Sequence, residues 1–136
     1  VDGHRVGGFI CYQAIFPSLV RRFAAGRAAL LVNTPNDAWY GSWQPPQHLA
    51  MSRLRAIEEG LPVIRSTPTG ISAVIDANGN VQRQLPYNKP GRIDAFLPQA
   101  REATLFAQHG NILPLGFAVL LIALSLLPLA AQRASR

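Results

Sequence analysis

The chain has 136 residues, 49% of them hydrophobic, which suffices for one modest core and argues against a disordered tail. Its net charge of +6 comes from thirteen Lys and Arg against seven Asp and Glu, twelve of the thirteen being scattered Arg with no basic block or interleaved aromatics. That dispersion argues against nucleic acid as a partner. One cysteine excludes an internal disulfide framework, and no CxxC or His/Cys cluster offers a metal site, so no cofactor or metal is expected.

Val1-Asp2-Gly3-His4-Arg5 carries no initiator Met, basic n-region or apolar h-region, and is expected to lie inside a longer protein. Short apolar runs at Val6 to Tyr12, Ala28 to Asn33, Leu61 to Ser66, Ile71 to Asp76 and Val81 to Leu85 predict strands. The last two read as a hairpin, because Asp76-Ala77-Asn78-Gly79-Asn80 contains an Asn-Gly pair that tolerates the positive φ of a tight turn. Helices are predicted over Phe16 to Ala25 and over Gln47 to Gly60, where Ala50, Leu54, Ile57 and Leu61 recur at helical spacing after Pro45-Pro46. Strands alternating with helices, then a hairpin, indicate an α/β layered domain.

Between Glu102 and Arg133 no residue carries a formal charge, and Ile112 to Ala131 is about long enough to cross a bilayer core. The expected organisation is therefore a domain over 1–108, a transmembrane helix over 109–132 and a tail at 133–136. Arg133 and Arg136 place that tail in the cytoplasm by the positive-inside rule, and the preceding domain on the opposite side.

Cys11 ends an apolar strand just before a predicted helix. At such a junction unpaired N–H groups and the positive end of the helix dipole lower a thiol pKa and hold a developing oxyanion. A lone Cys after a strand also fits a small buried hydrophobe, so position alone leaves both readings open. Trp39, Tyr40 and Trp43 suit either a pocket lining or ordinary packing, with a membrane-interface or packing role favoured for Trp43. Asp37 is expected to cap main-chain N–H groups. Arg55 and Glu59, four apart on a helix, are expected to form a surface ion pair. Arg65 suits either a core carboxylate or a lipid phosphate, His48 and His109 are expected to be structural, and Lys89 a solvated charge in a loop.

Taken in order, five segments resemble the apolipoprotein N-acyltransferase family of the nitrilase superfamily. Ile10-Cys11-Tyr12-Gln13 resembles its I-C-Y-E nucleophile segment, and Asn36-Asp37-Ala38-Trp39-Tyr40-Gly41 its N-D-A-W-F/Y-G loop. Gln47-His48 through Glu58 resembles its Q-H-x-x-x-x-R-x-R-A-x-E helix, and Arg65-Ser66-Thr67-Pro68-Thr69-Gly70-Ile71-Ser72-Ala73-Val74-Ile75 its R-S-T-x-x-G-I-S/T-A-V-I turn. Tyr87 to Phe96 resembles the domain's final extended segment, and the apolar run stands where the family has its last transmembrane helix.

The resemblance implies part of a nitrilase-like α-β-β-α sandwich followed by one transmembrane helix. It also implies a Glu-Lys-Cys triad that moves an acyl group from a phospholipid, through a cysteine thioester, to the amine of a diacylglyceryl-cysteine apolipoprotein. The site would comprise Cys11, Tyr12 (whose N–H would join the oxyanion site) and Gln13, with Asn36, Trp39 and Tyr40 binding substrate. The implied location is the bacterial inner membrane in contact with membrane lipid, the catalytic domain periplasmic. Two departures stand out: no Glu or Lys precedes Cys11, and Gln13 replaces the family's usual glutamate. Two alternatives follow, a carbon-nitrogen hydrolase in which water resolves the thioester or the substrate is an amide or nitrile, and a catalytically inactive, membrane-tethered binding module.

Overall fold

The computed structural model describes residues 3–26, 28–39 and 41–134, with side chains to residue 126. Five strands form one sheet in the order β1 (Val6–Ile10), β2 (Leu30–Thr34), β3 (Val63–Arg65), β4 (Ser72–Ile75) and β5 (Val81–Leu85). The first three are parallel and the last two antiparallel. Parallel neighbours need crossovers, supplied by α1 (Pro17–Ala24) and α2 (Gln44–Glu59), which pack against each other and against the sheet.

All five strands and both crossover helices overlap the predicted runs, with ends shifted by up to three residues. The largest shift is at the start of α2, which begins at Gln44, so that Pro45 and Pro46 occupy its first turn, where N–H groups lack intrahelical partners anyway. Gly60 closes α2 in the left-handed conformation (φ 68°), and a side chain there would meet the Glu102 carbonyl at 2.9 Å.

Strand register builds the core in rows. Gly7, Leu31, Val63 and Ile75 lie side by side, and Phe9, Asn33, Arg65 and Ala73 form the next row toward the C-terminal ends of the parallel strands. The first row is buried and apolar, each large side chain contributing about 1.5–3 kcal/mol by leaving water. Its neighbour places two polar residues at inward positions, where burial demands partners.

Beyond β5, residues 86–104 run without regular structure, as the predicted extended segment does in part. Arg101 donates its N–H to the Gly60 carbonyl at 2.8 Å, and the Thr104 hydroxyl donates to the Glu58 carbonyl, strapping this segment over the end of α2. Helix α3 (Leu105–His109) follows, its Ala107 and Gln108 carbonyls capped by the Arg21 guanidinium of α1.

The apolar run forms α4 (Ile112–Ala134), and its described side chains, Ile112 to Leu126, are all exposed. Among the described residues, however, no helix is long and apolar enough to cross a membrane. The span expected over 109–132 is thus not shown by the fold, and the end of the tail expected at 133–136 lies outside the described residues.

Candidate functional site

Three loops leave the sheet from the C-terminal ends of adjacent parallel strands, the region where open α/β sheets place their ligands. The first carries Cys11. It begins a short 3-10 helix, Cys11–Ile15, directly after β1, and its φ of 48° lies in the left-handed region that a residue with a Cβ seldom enters. Backbone strain of this kind costs on the order of 1–3 kcal/mol and persists only where surrounding contacts enforce it. Part of that enforcement is local: the Ile10 N–H donates to Gln13 Oε1 at 2.8 Å, and the Phe16 N–H donates to the Gln13 carbonyl at 3.1 Å. Cys11 is half-buried, while the Tyr12 ring is 43% exposed.

The second loop, after β2, holds Asn36, Asp37 and Trp39. Ile10 and Thr34 are register partners, so this loop and the Cys11 turn leave the sheet side by side. Asn36 Oδ1 accepts from the Ala38 N–H at 3.0 Å and from the Thr69 hydroxyl at 3.3 Å, joining the second loop to the third. Trp39 is 82% exposed and Trp43 63%, so neither is a core aromatic of this chain. Tyr40 lies outside the described residues.

Asp37 departs from its expected role. The main-chain cap in this loop comes from Asn36, whereas the Asp37 side chain is buried and faces two partners. His48 Nδ1 donates to Asp37 Oδ1 at 2.7 Å, and Arg65 Nη2 donates to Asp37 Oδ2 at 2.6 Å. Because a carboxylate beside a guanidinium only accepts, the hydrogen of His48 belongs on Nδ1. Of the two roles open to Arg65, it takes the one in the core. Its Nε donates to the Ile71 carbonyl at 3.0 Å, and its Nη1 donates to Asn33 Oδ1 at 3.0 Å and to Ser52 Oγ at 3.3 Å. Burial pushes the Arg65 guanidinium below its ordinary pKa, while Asp37 and, to a lesser extent, Cys11 act in the opposite sense.

Asn33 and Ser52 complete the arrangement, and neither was singled out by the sequence. The Ser52 hydroxyl bonds Asn33 Oδ1 at 3.2 Å and the His48 carbonyl at 3.1 Å, and Asn33 Nδ2 donates to the Phe9 carbonyl at 3.3 Å. A continuous polar path therefore runs from β1, which leads into Cys11, through Asn33, Arg65 and Asp37, to His48. The sequence signal was available: Asn33 and Arg65 occupy inward positions of otherwise apolar strands.

The expected Arg55–Glu59 surface pair does not form. Arg55 is buried and donates to Glu58 at 3.0 Å, three residues on, while both Glu59 oxygens are buried without a hydrogen-bond partner among the described residues. Burial first, then the neighbouring Glu58, raises the Glu59 carboxyl to about 7 against the pull of Arg21 and Arg55. Among the described residues no group of three or more His, Cys, Asp or Glu is arranged to hold a metal ion.

Comparison with known proteins gives this geometry its context. The chain is 44% identical over 131 residues to apolipoprotein N-acyltransferase of Bradyrhizobium diazoefficiens, covering 93% of this chain and 23% of the relative. It is 43% identical over 110 residues to apolipoprotein N-acyltransferase of Rickettsia bellii, covering 79% of this chain and 22% of the relative. The chain thus spans less than a quarter of the length of these relatives. Among solved structures, an amidase from Nesterenkonia sp. is 26% identical with a TM-score of 0.55, covering 67% of this chain and 36% of that one. A Saccharomyces cerevisiae member of branch 10 of the nitrilase superfamily shares the fold at 22% identity and a TM-score of 0.55, covering 62% and 34%. The carbon-nitrogen hydrolase family matches residues 1–104, and this chain therefore belongs to the carbon-nitrogen hydrolase, or nitrilase, superfamily.

Proposed function

We propose that this chain is the nucleophile-bearing part of an apolipoprotein N-acyltransferase, with Cys11 as the nucleophile. The observation that carries the reading is the strained Cys11 turn at the C-terminal end of β1, in a chain whose 39–44% identical curated relatives are named for this activity. A related amidase structure, 25% identical, is described as showing covalent addition at its active site cysteine, which supports the same role for Cys11.

The thiolate attacks the ester carbonyl of a phospholipid; the tetrahedral intermediate collapses to a thioester and the lysophospholipid leaves, taking a proton. The amine of a diacylglyceryl-cysteine apolipoprotein then attacks the thioester, forming an amide and returning the thiolate. The Tyr12 N–H, at the start of the 3-10 helix, suits the oxyanion of both steps. Asn36 and Trp39, on the adjacent loop, are assigned to substrate binding together with Tyr40. A glutamate for proton transfer and a lysine for the oxyanion come, in this proposal, from residues outside the chain, since only Asp2 precedes Cys11 as a carboxylate. The exposed apolar side chains described in α4, from Ile112 to Leu126, suit membrane lipid, so the proposal includes a span over 109–132 in a bacterial inner membrane, the domain of residues 1–108 on the periplasmic side and 133–136 in the cytoplasm.

The test is peptide mass spectrometry of the full-length protein after incubation with phospholipid bearing a labelled acyl chain. A labelled thioester on Cys11, absent from Cys11→Ala and discharged onto a diacylglyceryl-cysteine peptide, is the expected result. An adduct lost equally fast without the peptide would favour the hydrolase. Lipid retention with no adduct would favour the inactive binding module.

A further inference from the structure

The buried polar path that starts at β1 ends on a side chain that no reading of the nucleophile uses. His48 is 2% exposed, fixed through Nδ1 to Asp37, and its ring packs edge-to-face with that of Tyr12, with centroids 5.9 Å apart and planes at 60°. Tyr12 adjoins Cys11. We propose that Asp37 and His48 are positioning residues for the nucleophile: Asp37 orients the His48 ring, and the ring holds the Cys11–Tyr12 peptide in its left-handed turn. The inference rests on Cys11 being the reactive group, and it concerns the shape of the turn, not the identity of the substrate.

Three features support it. The Cys11 φ of 48° requires an external restraint, and the Gln13 cap acts only on the N–H of Ile10, before the strained residue. The Tyr12 residue is about half exposed, so its edge-to-face packing with the buried His48 ring is a contact through which the interior grips the turn. Finally, His48 does not choose its own orientation. Asp37 is clamped by Arg65, and Arg65 by Asn33, Ser52 and the Ile71 carbonyl, so the ring is held from strands β2 and β3.

Two substitutions separate the ring contact from the hydrogen bond. In His48→Asn the amide nitrogen stands near the position of Nδ1 and keeps a donor for Asp37, but the ring edge is gone. In His48→Phe the ring is kept and the donor lost. Hydrogen–deuterium exchange of the full chain, followed by peptide mass spectrometry, reports local opening of the turn without reference to any substrate. Exchange across residues 11–15 is expected to accelerate by about three- to tenfold in His48→Asn with β2 and β3 unchanged, and to stay closer to the parent's rate in His48→Phe. Equal exchange in parent and His48→Asn would overturn the proposal, as would acceleration spread over every strand, or a His48→Phe turn as open as that of His48→Asn. Failure here would leave the acyl-transfer reading standing, because thioester formation on Cys11 is measured separately.

Discussion

Arg65 reaches Asp37 across the sheet from β3 with a 2.6 Å hydrogen bond, both side chains at most 1% exposed. Removing one partner of such a pair leaves the other charge buried and uncompensated, which costs about 3–5 kcal/mol. Arg65→Met is therefore expected to lower the unfolding free energy by roughly that amount, read from urea denaturation with α4 kept in a mild detergent. Arg65→Lys should recover little, because one ammonium cannot serve Asp37, Asn33, Ser52 and the Ile71 carbonyl from a single fork. A lysine variant as stable as the parent would show that charge alone matters at this position.

Gly70 tests the same carboxylate from the other side. A Cβ on Gly70 would fall inside van der Waals contact of Asp37 Oδ2 and stand 2.9 Å from Asp37 Cγ and from Thr67 Cγ2. The Asp37 side chain cannot retreat without breaking its bonds to His48 or Arg65. Gly70→Ala should thus cost about 1–3 kcal/mol, as over-packing does elsewhere. Gly8→Ala meets nothing within 4 Å and serves as the control, with a change of about 0.5 kcal/mol or less in the same urea titration.

These two positions mark how far the sequence could be read. Apolar runs with period-two or helical spacing located every strand and both crossover helices, because burial of one face imposes that spacing whatever the rest of the fold does. The Cys11 junction was legible for the same reason. What periodicity cannot supply is which polar residues meet: Asn33, Asp37, His48, Ser52 and Arg65 span thirty-odd positions and come together only once β1, β2 and β3 are in register. Asp37 was consequently expected to cap its own loop, and Arg55 to pair with Glu59 at the surface. Both errors have one cause, since local spacing cannot show that a charged residue is buried, and burial selects the partner.

Glu59 links protonation to stability. Its folded carboxyl titrates at about 7, above the unfolded value near 4.5, so the folded chain binds the proton more tightly. The resulting stabilisation is fully present below pH 4.5 and is lost as pH rises through 7. Stability of the parent should fall across that window by on the order of 2 kcal/mol relative to Glu59→Gln, which cannot ionise. Urea midpoints at pH 5, 6, 7 and 8 provide the comparison: the variant should gain on the parent as pH rises. Parallel curves would mean that Glu59 is solvated, for instance by water in the cavity of about 260 Å³ that it lines with Ala24, Leu61 and Arg101.

Gln13 stands where the sequence resemblance implies a glutamate, and its side chain serves the backbone, because Oε1 accepts the Ile10 N–H at 2.8 Å and so fixes the end of β1 before Cys11. A carboxylate can accept the same bond, so Gln13→Glu should leave the turn intact, whereas Gln13→Ala loses the acceptor at a cost of about 1 kcal/mol. The pair of variants separates shape from charge. If the turn needs only an acceptor, thioester formation should slow in Gln13→Ala and stay within about threefold of the parent in Gln13→Glu. The proposed acyl transfer to the amine differs, because the attacking nitrogen must shed a proton, and a carboxylate two residues from the proposed nucleophile is a suitable acceptor or relay for it. Gln13→Glu is therefore expected to speed transfer more than thioester formation, with each half-reaction isolated by single-turnover kinetics in the full-length protein. A transfer rate equal to the parent's, in a variant whose thioester still forms normally, would assign Gln13 to the turn alone and leave proton movement to groups outside this chain.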